Sequence, residues 1–331
     1  MTSSSPPGVM DEHYHPATCR SRFTPSSTGK CVTPTTRDLL WFGRLAEHGP
    51  LPTSSLLAFS AGMRRCDKRA RERLTDLFNE GNTPDGGPYL TRPPQQFRTL
   101  DARYNQLVHD LAPAGLRALE RHEQISSSRR APSGPWLHAF MTSCITASIE
   151  LATLDRPDLT FIPQSRILAR AEAELRHPVT IIDPDSSRKV TKDLIPDAIF
   201  GLEYRTDQGS RFRFFAVEAD RATEPTTSSN WNRKSFQRNL LQYEAYVTGG
   251  AYRRHLGLTA PLMVLTVSSD PSRTSRMVNL TAARYPQGNA FMLFQTWMDF
   301  GAVFRPPQPM PILLTDAWMR GGLPPFTIGV L

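Results

Sequence analysis

Two apolar runs separated by a short turn, IPDAIFGLEY and RFRFFAVEAD, carry acidic residues where a buried strand has no ordinary use for them. Alternation along the second run puts Glu218 and Asp220 on the same face as Phe212, Phe214 and Ala216, so both acids point the same way. Asp197 heads the first run, 21 residues before Glu218. Carboxylates brought this close repel one another unless a cation joins them. Cleaving a phosphodiester with a bound divalent ion requires acidic oxygens converging from neighbouring strands, plus a cation for the developing charge. Asp197 and Glu218 suit the first task. The competing readings are an ordinary strand start and an exposed acid and arginine pair of little energetic weight.

Helix-period and strand-period segments alternate around these runs. A helix is expected from about Leu137 to Leu154, followed by strands at VTIIDPD and in the two acidic runs. A long helix from about Asn232 to Val247 then precedes the strand PLMVLTVSS, a helix near 275–285 and the strand NAFMLFQTW. This order predicts an α/β sheet covered by helices, without internal repeats. On the long helix, Lys234, Arg238, Gln242 and Tyr246 recur every four residues, while Phe236, Leu240, Tyr243 and Val247 take a roughly opposite face. The helix is therefore expected to pack its apolar side on the core and offer Lys234 and Gln242 to the acids.

The first third of the chain reads differently. Residues 1–36 are rich in Ser, Thr and Pro and are expected to form a disordered arm. His13, His15, Cys19 and Cys31 lie there with irregular spacing, so a metal site is the weaker reading. Thr36 reads as the N-cap of RDLLWFGRLAEHG, Pro52 opens a second short helix, and a third runs from about Arg64 to Glu80. A turn-rich stretch around YLTR, then YNQLVHDL and a helix at PAGLRALERH, reads as a β-wing and closing helix. Residues 37–124 are thus expected to be a winged helix-turn-helix, 125–136 a linker, and 137–331 the α/β domain.

The third helix holds the sharpest basic cluster: Arg64, Arg65, Lys68, Arg69, Arg71 and Arg73 against Asp67 and Glu72. In a helix-turn-helix this helix enters the major groove, so Lys68, Arg69 and Arg71 are expected to reach DNA, with Arg92 after the wing strand touching the backbone or minor groove. The bland reading is a solvated face with internal pairs such as Lys68 with Glu72. The balance of 39 Lys plus Arg against 31 Asp plus Glu, a net charge of +8, favours a polyanionic partner. No run approaches the roughly 18–20 apolar residues of a membrane span, no secretory signal is apparent, and four scattered cysteines indicate neither disulfides nor structural zinc. A cytoplasmic protein without membrane association is expected.

The order of a winged helix, PDAIF, FFAVEADRATE and a Lys-bearing helix with QYEAY resembles the replication-relaxation family of plasmid and other mobile-element proteins over roughly residues 37–300. That resemblance implies a C-terminal domain of the restriction-endonuclease-like PD-(D/E)xK type. Asp197 then matches the Asp of the PD element, Glu218 the acid of the (D/E)xK element, and Gln242 and Tyr246 a QxxxY element. The motif lysine is replaced by Asp220, giving E-x-D. Some members of the wider superfamily supply the lysine from the neighbouring helix, as Lys234 would here, and others keep the fold for binding alone.

The resulting expectation is a protein that recognises double-stranded DNA through its winged helix and nicks or cleaves it with Mg²⁺ or Mn²⁺. Asp197, Glu218 and Asp220 would hold the ion, with Lys234, Gln242 and Tyr246 completing the site. Two alternatives stay open: a non-catalytic accessory factor for a relaxase, replication or transposition protein, and a transcriptional repressor whose C-terminal domain dimerises or senses a ligand.

Overall fold

A computed structural model describes residues 22–63, 66–98, 102, 104–122, 135–183, 187–300 and 304–331. The first helix, α1 (Thr36–His48), is set by a capping box one residue earlier than expected. The Thr35 side chain accepts from the Asp38 amide, and the Asp38 carboxylate accepts from the Thr35 amide. Gly49 ends it with φ of 97°, and a Cβ there would lie 2.7 Å from Ser143 Oγ, so glycine permits both the turn and the close approach. There follow β1 (Leu51–Pro52), α2 (Thr53–Phe59), α3 (Asp67–Asn79), β2 (Leu90–Thr91), β3 (Val108–Leu111) and α4 (Pro113–Arg121). The three strands form an antiparallel sheet in the order β1-β3-β2. Trp41, Phe42, Leu45, Leu74 and Leu77 interlock the helices in a shared core.

The expected disordered arm needs correction from residue 22 onward, while residues 1–21, with His13, His15 and Cys19, lie outside the described residues. Val32 is buried in the helical core and its amide bonds to the Asn82 carbonyl. The buried Glu80 carboxylate accepts from Ser27 Oγ, the Thr28 amide and Thr28 Oγ1. A buried acid needs such donors, and the polar composition that suggested disorder supplies them. Residues 125–134 of the expected 125–136 linker also lie outside the described residues.

The second half begins with α5 (Trp136–Thr153), buried along most of its length. It is followed by β4 (Leu159–Ile162), α6 (Gln164–Ala171), the hairpin β5 (His177–Ile182) and β6 (Lys189–Leu194), and the long hairpin β7 (Ala198–Thr206) and β8 (Gly209–Asp220). Next come α7 (Phe236–Thr248), α8 (Ala251–Leu256), β9 (Leu262–Ser268), α9 (Pro271–Arg284) and β10 (Met292–Thr296). The C-terminal segment adds α10 (Ile312–Thr315), β11 (Ala317–Trp318) and β12 (Phe326–Thr327). A five-stranded sheet runs β10-β9-β8-β7-β4, antiparallel from β4 to β8 and parallel from β8 to β10.

Alternation along β8 sorts its side chains between two cores. Phe215, Val217 and Ala219 face α5 and the C-terminal segment, whereas Phe214 and Ala216 face α7, α8 and α9. The result is a mixed α/β fold with helices on both faces of the central sheet. α5 has no broad solvent-facing side because the face away from the sheet meets the N-terminal helices, through a buried polar row that includes Ser143, Thr146 and Glu150. There Ser143 Oγ donates to the His48 carbonyl, and the Glu150 carboxylate lies 2.6 Å from His48 Nε2 and 2.9 Å from Arg44. Among the described residues no helix is long and apolar enough to cross a membrane, and Cys31, Cys66 and Cys144 are free thiols.

Candidate active site

The β7–β8 hairpin brings the two acids from distant sequence positions to one end of the sheet. Asp197 precedes β7, and its amide bonds to the Val217 carbonyl. Its Oδ2 accepts from the Ala219 amide at 2.9 Å, which ties it to the backbone beside Glu218. Its Oδ1 lies 2.8 Å from Nε2 of His138, which reaches over from α5. Glu218 projects from the opposite face of β8 and accepts from the Tyr243 hydroxyl of α7. Burial, reinforced by the Asp197 charge, pushes the Glu218 carboxyl up from its ordinary 4.5 to about 8, against the pull of Lys234 and Tyr243. Burial also drives the Tyr243 hydroxyl up, with the Glu218 charge adding to it.

Lys234 sits in the β8–α7 connection, because the helix starts only at Phe236 behind the Ser235 cap. Its ammonium lies 3.2 Å from Glu224. Burial pulls its pKa down, but Glu218, Glu224 and Asp197 outweigh that and hold the charge. Glu218, Asp220, Glu224 and Lys234 border a cavity of about 40 Å³, whose lining also includes His138 and Thr266. Glu218 and Lys234 thus meet at one gap, and Asp197 lies close enough to interact with both of their charges.

Other expected site residues are engaged elsewhere. Asp220 points the same way as Glu218, but Arg273 of α9 grips both its oxygens at 2.6 and 2.7 Å. Its carboxylate is thus neutralised by an arginine where a metal ion was expected. Gln242 donates to the Lys192 carbonyl of the β5–β6 hairpin, and the Tyr246 hydroxyl meets His255 Nδ1 at 2.7 Å. Neither touches the acids. The reason is geometric: α7 lays its apolar face on the side of the sheet that carries Glu218, so Tyr243 from that face makes the contact. Among the described residues no group of three or more His, Cys, Asp or Glu side chains is arranged to hold a metal ion. Sequence reasoning missed His138, a lone histidine on an apolar helix without a motif, and Tyr243, which alternation assigns to the core.

A family model described as replication-relaxation matches residues 42–262, from within α1 to the first residue of β9. The chain belongs to the replication-relaxation family. No curated protein and no solved structure matches it. The span shared with this family includes α3, Asp197, Glu218, Lys234 and Tyr243, and ends before Thr266 and Arg273.

Within the same family span, the α3 cations divide into two kinds. Lys68, Arg69 and Arg71 are exposed, and Arg71 has only a 4.0 Å contact with Asp67. Arg73 instead bonds to Asp38 through Nε and Nη2 and to the Thr33 carbonyl, linking α3 to the cap of α1. Arg92 is buried, stacks 4.0 Å above the Phe78 ring, and donates to the Arg22 carbonyl. Burial, with Arg22 nearby, lowers its pKa to about 10. The expectation that Arg73 and Arg92 face DNA is corrected accordingly, since α3 turns only its Lys68, Arg69 and Arg71 side to solvent. Arg64 and Arg65 lie outside the described residues.

Proposed function

We propose that this protein serves a plasmid or other mobile element by binding double-stranded DNA through an N-terminal winged helix-turn-helix and acting on a backbone phosphodiester with a PD-(D/E)xK-type C-terminal domain. The observation that carries the reading is that two interacting acids, Asp197 and Glu218, share one end of the sheet with the Lys234 ammonium, whose charge interacts with both. A buried pair of repelling carboxylates costs stability, and a site for a divalent cation is the usual reason to keep one. The winged-helix reading draws support from the order of α1, β1, α2, α3, β2 and β3 and from a cationic α3 surface.

Asp220 is committed to Arg273, so a Mg²⁺ or Mn²⁺ ion here would rest on Asp197 and Glu218 in place of the three-carboxylate set. Asp197 and Glu218 would hold the ion, whose charge would offset their repulsion and polarise a phosphoryl oxygen. The chain's own groups supply the rest. His138 and the Ala219 amide orient Asp197, Tyr243 orients Glu218, and Lys234 offers its ammonium to negative charge developing on the phosphoryl oxygens. Lys68, Arg69 and Arg71 would fix the duplex by its phosphates.

A second reading, a non-catalytic factor that recruits a relaxase, replication or transposition protein, is favoured by the Asp220–Arg273 pair, which stands where the motif has lysine. Incubating the purified protein with supercoiled plasmid and Mg²⁺ or Mn²⁺ separates the two. Nicking that Asp197→Ala and Glu218→Ala each abolish, with DNA retention intact, is the expected result. Nicking untouched by both substitutions would refute the site, and DNA retention without nicking in either metal supports the recruiting role.

A further inference from the structure

Two residues that line the cavity beside Glu218 carry buried polar atoms without a hydrogen-bond partner among the described residues. Thr266 on β9 is only 3 % exposed, and its hydroxyl has no hydrogen-bond partner among the described residues. The same is true of Arg221 Nε, just past the end of β8. Both residues line the cavity, together with Lys234 and Asn239. A threonine on a helix can return its hydroxyl to a carbonyl one turn back, as Thr142, Thr146 and Thr281 do here. A strand offers no such local acceptor. Nearby hydroxyls have found partners across elements, with Ser268 reaching Asp220 and Thr274 meeting Thr296. Thr266 is the exception, and its register places it directly beside Glu218 on the neighbouring parallel strand. Leaving a buried hydroxyl unpaired is costly, so its retention calls for a ligand.

The chemistry of the two groups narrows that ligand. A threonine hydroxyl donates or accepts, but the Nε–H of a guanidinium only donates. A metal ion cannot satisfy Arg221, whereas an oxygen can satisfy both. Lys234 adds a third donor with positive charge, so the three groups together suit an anionic oxygen. We propose that this cavity seats one non-bridging oxygen of a DNA backbone phosphate, with the Thr266 hydroxyl, the Arg221 guanidinium and the Lys234 ammonium as its donors. The assignment rests on the phosphodiester reading of the acid pair and adds the residues that would hold the substrate next to it. Thr266 lies beyond the residues matched by the family model, whereas Arg221 and Lys234 lie within them.

Titrating inorganic phosphate into the full-length protein in Mg²⁺ buffer, followed calorimetrically, tests the seat without relying on cleavage. Thr266→Val preserves shape and removes the hydroxyl; it should weaken phosphate binding about tenfold or more, the effect of losing a hydrogen bond to a charged ligand. Arg221→Gln should weaken it comparably, while Thr266→Ser should stay within about twofold of the parent. Unchanged thermal melting of Thr266→Val confirms that the fold is intact. Equal phosphate binding by the parent and Thr266→Val overturns the seat, as does failure of the parent to bind phosphate at millimolar concentration. The phosphate pattern without plasmid nicking would sink the nuclease reading and leave the seat standing. Nicking that depends on Asp197 but proceeds normally in Thr266→Val, with phosphate binding unchanged, would do the reverse.

Discussion

On α3, Lys68, Arg69 and Arg71 stand in solvent, and Arg71 is held by no more than a 4.0 Å contact. Around the end of β8 the opposite holds: Asp197 is clasped by His138 and the Ala219 amide, Glu218 by Tyr243, and Asp220 by Arg273. Water screens the first set, so each charge there costs little to place and contributes little to folding. Burial strips water from the second set, so each charge must bring a partner or shift its proton affinity. Solvated charge is therefore available to a diffusing polyanion, whereas buried charge is built into the scaffold. Substitutions in the two regions should fail in different ways.

The largest expected effect is at Asp220. Its removal in Asp220→Ala leaves Arg273, with a side chain only 4 % exposed, without a countercharge. Breaking a buried pair from one side typically costs about 3–5 kcal/mol, and replacing both partners by apolar groups recovers most of it. Urea unfolding should therefore show Asp220→Ala strongly destabilised and Asp220→Leu/Arg273→Met close to the parent. A loss under about 1 kcal/mol in the single variant would mean that this charge is not built in.

Glu218 should follow in size, with a pH signature. Its folded pKa of about 8 lies above the ordinary 4.5, so the folded protein holds a proton that the unfolded chain releases. Stability should then be greatest below pH 4.5 as far as this group is concerned, decline as pH rises towards 8, and level off beyond. The direction of that decline follows from the raised proton affinity of the folded state. In Glu218→Gln this decline should vanish from a series of thermal melts. A parent protein whose melting temperature is flat across that window would show that the carboxylate is not desolvated by its setting.

Much of this architecture could be read before any coordinates. The longer alternating segments between α5 and β10 are legible because long periodic stretches report which face is buried, whereas the short β4, α6 and α8 carry too little periodicity to be read. Asp197 and Glu218 were visible because acids interrupt apolar strands, and Lys68, Arg69 and Arg71 because a charge run on a helix is conspicuous. The partners were not visible. Asp220 and Arg273 are 53 residues apart, His138 comes from a helix buried along most of its length, and Tyr243 hides among core positions. Pairing across elements depends on tertiary placement, which neither periodicity nor composition encodes. Residues 22–35 were misjudged for a related reason: few apolar side chains argue for disorder unless a buried acid such as Glu80 recruits the polar ones.

The sharpest test of the contrast lies within α3 itself, where one arginine belongs to each class. Arg73 bonds to the fully buried Asp38, so Arg73→Ala should destabilise the fold by about 3 kcal/mol. Arg71, two residues earlier and exposed, should cost less than about 0.5 kcal/mol when replaced by alanine. Neutralising Lys68, Arg69 and Arg71 together should likewise leave denaturant unfolding nearly unchanged. Its consequence should appear in DNA binding instead. Each phosphate contact contributes about 0.9 to the slope of log affinity against log salt, so losing three should flatten that slope by up to about 3. An unchanged slope in the triple variant would remove α3 from the DNA interface, while a large loss of stability would show that these charges too are part of the scaffold.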